Sequence, residues 1–241
     1  MKRLLIICTF ILSASAQNNP GLKLWYDQPA ANWNEALPIG NGKLAAMVFG
    51  VPAREQIQLN EETVWAGGPN NNVKPGAFPI IQKLRALLLD RKYTEAQQLA
   101  DAEMQPYGNS GMPYQPVGNL FIEFPGHEKY SAYGRELDLE KATTTTTYEV
   151  ERVRYKRESF ASLTDGVIIV RLTATKPGKI SCILSMDSPQ KSDIRIDRGN
   201  IVVSGITGDH EGQTGSVQFQ ANVGIMRKSG TANNDGGSVS I

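Results

Sequence analysis

Cysteine is scarce in this sequence. Of 241 residues two are Cys, and one of them, Cys8, lies in the apolar run at the amino terminus. A chain that starts beyond that run keeps Cys182 alone, which excludes an internal disulfide and a cysteine-held metal site. Excess charge is missing too: 25 Lys and Arg stand against 24 Asp and Glu. Such a balance provides no global field for nucleic acid or an anionic membrane, and it suits a neutral ligand. The amino-terminal apolar run, Leu4 to Leu12, is far shorter than the roughly 20 residues a spanning helix needs. The two histidines, His127 and His210, are isolated. Asp209 and Glu211 flank His210 without the ligand spacing of a metal site, so neither a metal nor a cofactor is expected. No six-residue glycine fingerprint opens a helix, and Gly40-Asn41-Gly42 reads as a tight turn.

What the sequence does have begins with Lys2 and Arg3, the run to Leu12, and Ser13-Ala14-Ser15-Ala16. A basic start, a short apolar centre and a small-x-small site predict a secretory signal peptide over residues 1–16, with an exported, periplasmic or secreted domain over 17–241 and no lipid anchor. Alternation predicts strands over Leu22 to Tyr26 and Gln56 to Leu59, and strand composition between turn signals predicts them over Val117 to Phe124, Thr143 to Val150, Val153 to Ser159, Val167 to Thr175, Ile180 to Met186, Ile201 to Ser204 and Val217 to Ile225. Leu44 to Phe49 reads as a strand buried on both faces. Between them Ile80, Ile81, Leu84, Leu87 and Leu88 fall at helical spacing. A second helix is expected from Thr94, capped through a Thr94/Gln97 box and stopped by Pro106. Ser229 to Gly237 followed by Ser238 reads as a turn entering a strand. The fold expected is mainly β: an antiparallel two-sheet, supersandwich-like domain with an inserted short helical hairpin.

Four phrases carry a specific resemblance. Glu35 to Gly50 reads EALPIGNGKLAAMVFG, and Leu59 to Pro69 reads LNEETVWAGGP. Tyr114 to Leu120 reads YQPVGNL, and Tyr155 to Asp165 reads YKRESFASLTD. In order and wording the chain resembles the opening of the family 95 glycoside hydrolases, whose best-known activity is α-L-fucosidase. The resemblance implies an inverting enzyme acting on terminal α-L-fucosyl linkages of fucosylated glycans. It places the catalytic residues in a helical barrel further along the family's chains. By that resemblance residues 17–241 are a carboxy-terminally truncated amino-terminal domain whose partner is the missing barrel, and no catalytic residue is carried over. Relatives acting on α-L-galactosides, and a stand-alone carbohydrate-binding module, are the alternatives.

The loop Asn60, Glu61, Glu62, Thr63 and Trp65 is the candidate substrate-binding wall. An indole suits the C–H face of a sugar, and amides or carboxylates suit its hydroxyls. A structural role stands beside it, in which Trp65 anchors the core or an interdomain contact and the two glutamates hold the turn. Glu61 and Glu62 are adjacent, so on a strand they point to opposite faces and cannot flank one bond. Trp25 and Trp33 read as packing residues. The run Arg152, Arg154, Lys156 and Arg157, interleaved with Glu149, Glu151 and Glu158, reads as a solvated strand face.

Overall fold

The structure is a computed structural model that describes residues 20–69, 71–105, 111–227 and 230–241. The leader over 1–16, the helix stop at Pro106 and the turn position Ser229 lie outside the described residues. Four strands come first: β1 (Lys23–Tyr26), β2 (Leu37–Gly40), β3 (Leu44–Val48) and β4 (Arg54–Glu61). The hairpin α1 (Ala77–Leu89) and α2 (Tyr93–Glu103) follows. The strands then resume with β5 (Gly118–Glu123), β6 (Ser131–Asp138), β7 (Thr143–Val150), β8 (Val153–Ala161) and β9 (Ile168–Ala174). Last come β10 (Ile183–Asp187), β11 (Lys191–Asp197), β12 (Asn200–Ile206), β13 (Gln218–Val223), β14 (Asn233–Asp235) and β15 (Ser238–Ser240).

The fold is mainly β and antiparallel, with the inserted helical hairpin the sequence predicts. Among the described residues the strands form three sheets: β1-β6-β7-β8-β9, β14-β15-β10-β5-β4-β3-β2, and the small β11-β12-β13. Period-2 alternation decides what each strand buries. One face of the seven-stranded sheet carries Ile39, Ala46, Val48, Ile57, Leu120, Ile122, Leu184, Met186 and Val239 into a single core cluster. Ile201 and Val203 of β12 join that cluster, and Ile168, Val170 and Leu172 of β9 pack against it. The inner face of the largest sheet is therefore covered by both of the others. Burying each such side chain contributes about 1.5–3 kcal/mol relative to exposure. Among the described residues no helix is long and apolar enough to cross a membrane.

Several expectations are corrected by local physics. On β3, Ala45 is exposed and Met47 half-buried, so the strand buries one face and not two. The cap of α2 is Lys92, with no side-chain bond, and Thr94 lies inside the helix. The Gln97 amide donates to Asp101 Oδ1 at 2.7 Å, an i,i+4 contact, and not back to the helix start. The hairpin packs mainly on itself: Ala96 is its buried residue, while Phe78, Ile81, Leu88 and Leu89 remain exposed. Trp25 and Trp33 are 72% and 51% exposed, which removes them from the packing core.

The basic run also splits. Arg154 is exposed, but Arg157 is 4% exposed because β8 turns it inward against β4. There it meets Glu55 Oε2 at 3.1 Å. The guanidinium also donates to Val51 O at 2.7 Å, to Pro52 O and to Tyr148 Oη at 2.8 Å. Glu55 Oε1 accepts from the Gly50 amide at 2.7 Å. Burial lifts the Glu55 carboxyl above its ordinary range, with the Arg157 charge and the Gly50 amide pulling the other way. His127 completes the group, its Nδ1 2.9 Å from Tyr148 Oη and its ring stacked on Phe124. The gap lined by Phe124, Tyr148, Tyr155, Arg157 and Ile180 has no room for a water molecule. This is a polar clasp between sheets, not a ligand pocket.

Candidate functional site

The four phrases converge through a chain of hydrogen bonds at one end of the sheets. The tight turn between β2 and β3 is closed by Asn41, whose Oδ1 accepts from the Lys43 and Leu44 amides at 3.0 and 2.8 Å. Asparagine does this because its short side chain mimics a backbone acceptor. Its other end reaches out, Nδ2 donating to Ser162 O at 2.7 Å, which ties this turn to the loop between β8 and β9. In that loop Ser162 Oγ donates to Asp165 Oδ2 at 2.6 Å. On the other side Lys43 O accepts from the Glu62 amide at 2.9 Å.

The candidate loop leaves β4 as the alternation of Gln56 to Leu59 predicts. Asn60 and Glu61 are its last two residues, and Glu62 and Thr63 make the turn. Glu61 holds that turn, its Oε2 accepting from Thr63 N at 2.8 Å and Thr63 Oγ1 at 2.5 Å. Trp65 Nε1 donates to Glu62 O at 2.8 Å, which fixes the indole. Its ring meets Tyr114 edge-on, with centroids 5.2 Å apart, and Tyr114 Oη donates to Glu61 O at 2.8 Å. Burial pushes the Tyr114 phenol up, and the Glu61 and Glu62 charges push it further. Glu61 and Thr63 stabilise the turn, while Trp65 and Tyr114, 44% and 42% exposed, remain presented at the surface.

Behind the indole the chain is tightly laced. Ala66 N donates to Pro113 O at 2.9 Å, Gly67 N to Gly208 O at 2.8 Å, and Ser216 N to Gly67 O at 2.9 Å. Asp209, next to His210, spends Oδ1 on the Gly215 amide at 2.8 Å. Among the described residues no group of three or more His, Cys, Asp or Glu could hold a metal ion. Tyr114 is the member of the cluster that reading the sequence did not assign to the site. Its aromatic ring beside Pro113 and Pro116, just ahead of β5, was the available signal.

Residues 24–241 match the family described as "Glycosyl hydrolase family 65, N-terminal domain". The chain is similar to "Alpha-L-fucosidase 2" of Arabidopsis thaliana, 41% identical over 170 residues that cover 69% of this chain and 20% of that protein. It is also similar to "Probable alpha-fucosidase A" of Aspergillus oryzae, 32% identical over 63% of this chain and 22% of the relative. The protein of the same description from Aspergillus niger is 29% identical, over 70% of this chain and 21% of its own length. The chain thus spans about a fifth of the length of these relatives.

Proposed function

This chain belongs to the glycosyl hydrolase family 65 N-terminal domain family, and from that premise we propose that it is the amino-terminal domain of an exported, α-L-fucosidase-like hydrolase of the family 95 type. In this reading Asn60, Glu61, Glu62, Thr63 and Trp65, with Tyr114, form one wall of a glycan site. The catalytic carboxyls come from the remainder of a longer polypeptide. The observation that carries it is the hydrogen-bonded convergence of the four phrases at one end of the sheets, with an exposed, hydrogen-bonded indole set against Tyr114.

Chemistry on a glycoside needs an acid to protonate the departing oxygen and, with inversion, a base that activates water on the opposite ring face, the two carboxyls about 6.5–9.5 Å apart. The loop is not built to supply that pair. Glu61 is occupied with Thr63, and Glu62 follows it directly in the turn. The loop is suited to positioning: Trp65 offers a flat apolar ring for the C–H face of a deoxy sugar, and carboxylate and amide groups accept from its hydroxyls.

The test is Trp65→Ala in the longer polypeptide, assayed on a fucosylated oligosaccharide. Loss of the wall lowers kcat/KM about tenfold or more, chiefly through KM, while unfolding stays close to wild type. An unchanged kcat/KM would remove the loop from the substrate site.

A further inference from the structure

The outer face of the seven-stranded sheet, opposite the core, carries an organised polar row. Gln58, Asn119 and Asp187 stand side by side on β4, β5 and β10. Gln56 Nε2 donates to Asn119 Oδ1 at 3.0 Å, and Asn119 Nδ2 donates to Asp187 Oδ1 at 2.7 Å. A carboxylate can only accept, so Asp187 fixes the orientation of Asn119 and Asn119 that of Gln56. At the other end Trp33 Nε1 donates to Gln58 Oε1 at 2.7 Å, which seats the half-exposed indole on the row.

The turn bearing Trp33 is itself pinned. Glu35 accepts from Ala31 N and Asn32 Nδ2, both at 2.8 Å, and Asn32 Oδ1 accepts from Asn34 N at 3.0 Å. The buried Arg135 holds Glu35 O at 2.6 Å and Gln28 O at 2.7 Å. A large aromatic held this firmly yet left half in water contributes little to the core, and its rigidity lowers the ordering cost of a ligand. Another ring on this face, Phe121, is buried under the Arg54 guanidinium at 3.8 Å, and Arg54 is paired with Glu123 at 3.0 Å.

We infer that this row is a binding surface for a neutral oligosaccharide, with Trp33 as the stacking platform. Gln58 Nε2, Gln56 Oε1 and the second Asp187 oxygen are the polar groups it presents, since their other atoms are spent within the row. The Arg54–Glu123 pair on this face closes its charge on itself, so the row presents one donor and two acceptors and no unpaired cation, which fits a polyhydroxy ligand and disfavours an anionic one. Across three strands the row is about 10 Å long, room for more than a single sugar ring. The surface rests on the sheet face and not on the role of residues 60–65.

The test titrates the 241-residue chain with 2′-fucosyllactose, and separately with lactose, by amide and indole NMR. Binding shifts the Trp33 indole and the Gln58 and Asn119 side-chain amides. Trp33→Ala, and Gln58→Glu, which keeps the acceptor for Trp33 but removes the donor, each weaken binding about tenfold or more, a difference well within reach of a titration, while the spectrum reports an intact fold. Absence of any shift at Trp33 with either sugar, or binding that survives Trp33→Ala, overturns the inference. Shifts confined to Trp65 and Thr63 overturn it as well, while leaving the proposed role of the loop standing.

Discussion

Replacing Arg157 with methionine tests what joins the five-stranded sheet to the seven-stranded one. The guanidinium is 4% exposed and touches Glu55, Tyr148 and two carbonyls of the turn entering β4. Removing one partner of a buried ion pair costs about 3–5 kcal/mol, because the other is left without its compensation. That is a large share of the roughly 5–15 kcal/mol that holds a typical domain together. In a chain of this size it lowers the melting midpoint by roughly 10 °C. The assay is urea unfolding followed by tryptophan fluorescence. The double variant Glu55→Gln with Arg157→Met keeps an acceptor for the Gly50 amide, so it recovers part of the loss. pH adds a second signature. The Glu55 carboxyl already sits above its unfolded value near 4.5. Stability from its protonated form is therefore full below that value and lost as pH rises through the folded one. Without Arg157 the folded value rises further, so the deficit of Arg157→Met deepens from acid toward neutral pH. A single variant within about 1 kcal/mol of wild type, or a deficit that shrinks as pH rises, would refute the clasp.

Two further outcomes follow from the same interior. Burial, and then the Arg157 charge, hold His127 below its ordinary range, with Glu128 opposing. The unfolded chain therefore takes up that proton first, and stability present above about pH 6.5 is lost as pH falls. His127→Gln flattens this acid limb in a stability series from about pH 7.5 to about 5, and an unchanged slope would contradict the assignment. At Gly118, inside the YQPVGNL phrase, a Cβ would land on the Asp187 carbonyl. Gly118→Ala should cost about 1–3 kcal/mol or more in urea unfolding, and a neutral substitution would show that β5 and the end of β10 are less closely packed than described.

Alternation made much of this fold legible. Thr143–Val150 coincides with β7, since threonines on both faces of a strand keep their β-branched preference whichever way they point. Strands with atypical inner faces escaped. In β6 the inward positions hold Arg135 beside Leu137, and in β11 Ile194 and Ile196 stand among exposed charges. Arg157 was misplaced for a related reason: a strand turns every second residue inward, and only the packing of β8 against β4 of the other sheet shows that a buried glutamate awaits this one. For the candidate site, the position of residues 60–65 at a strand end could be read from Gln56 to Leu59. Their contact with Lys43, and through Asn41 with Ser162, depends on pairing between distant strands. Trp33 shows the opposite case, because its type suggests a core and only its short pinned turn reveals that it faces outward.

The division of labour proposed for this family member is tested most directly by fucose release from para-nitrophenyl α-L-fucoside. The 241-residue chain should release none above the uncatalysed background, while a longer polypeptide carrying the same domain turns the substrate over. Release by the chain alone, abolished by Glu61→Gln, would place the reacting carboxyl in this domain and contradict the account.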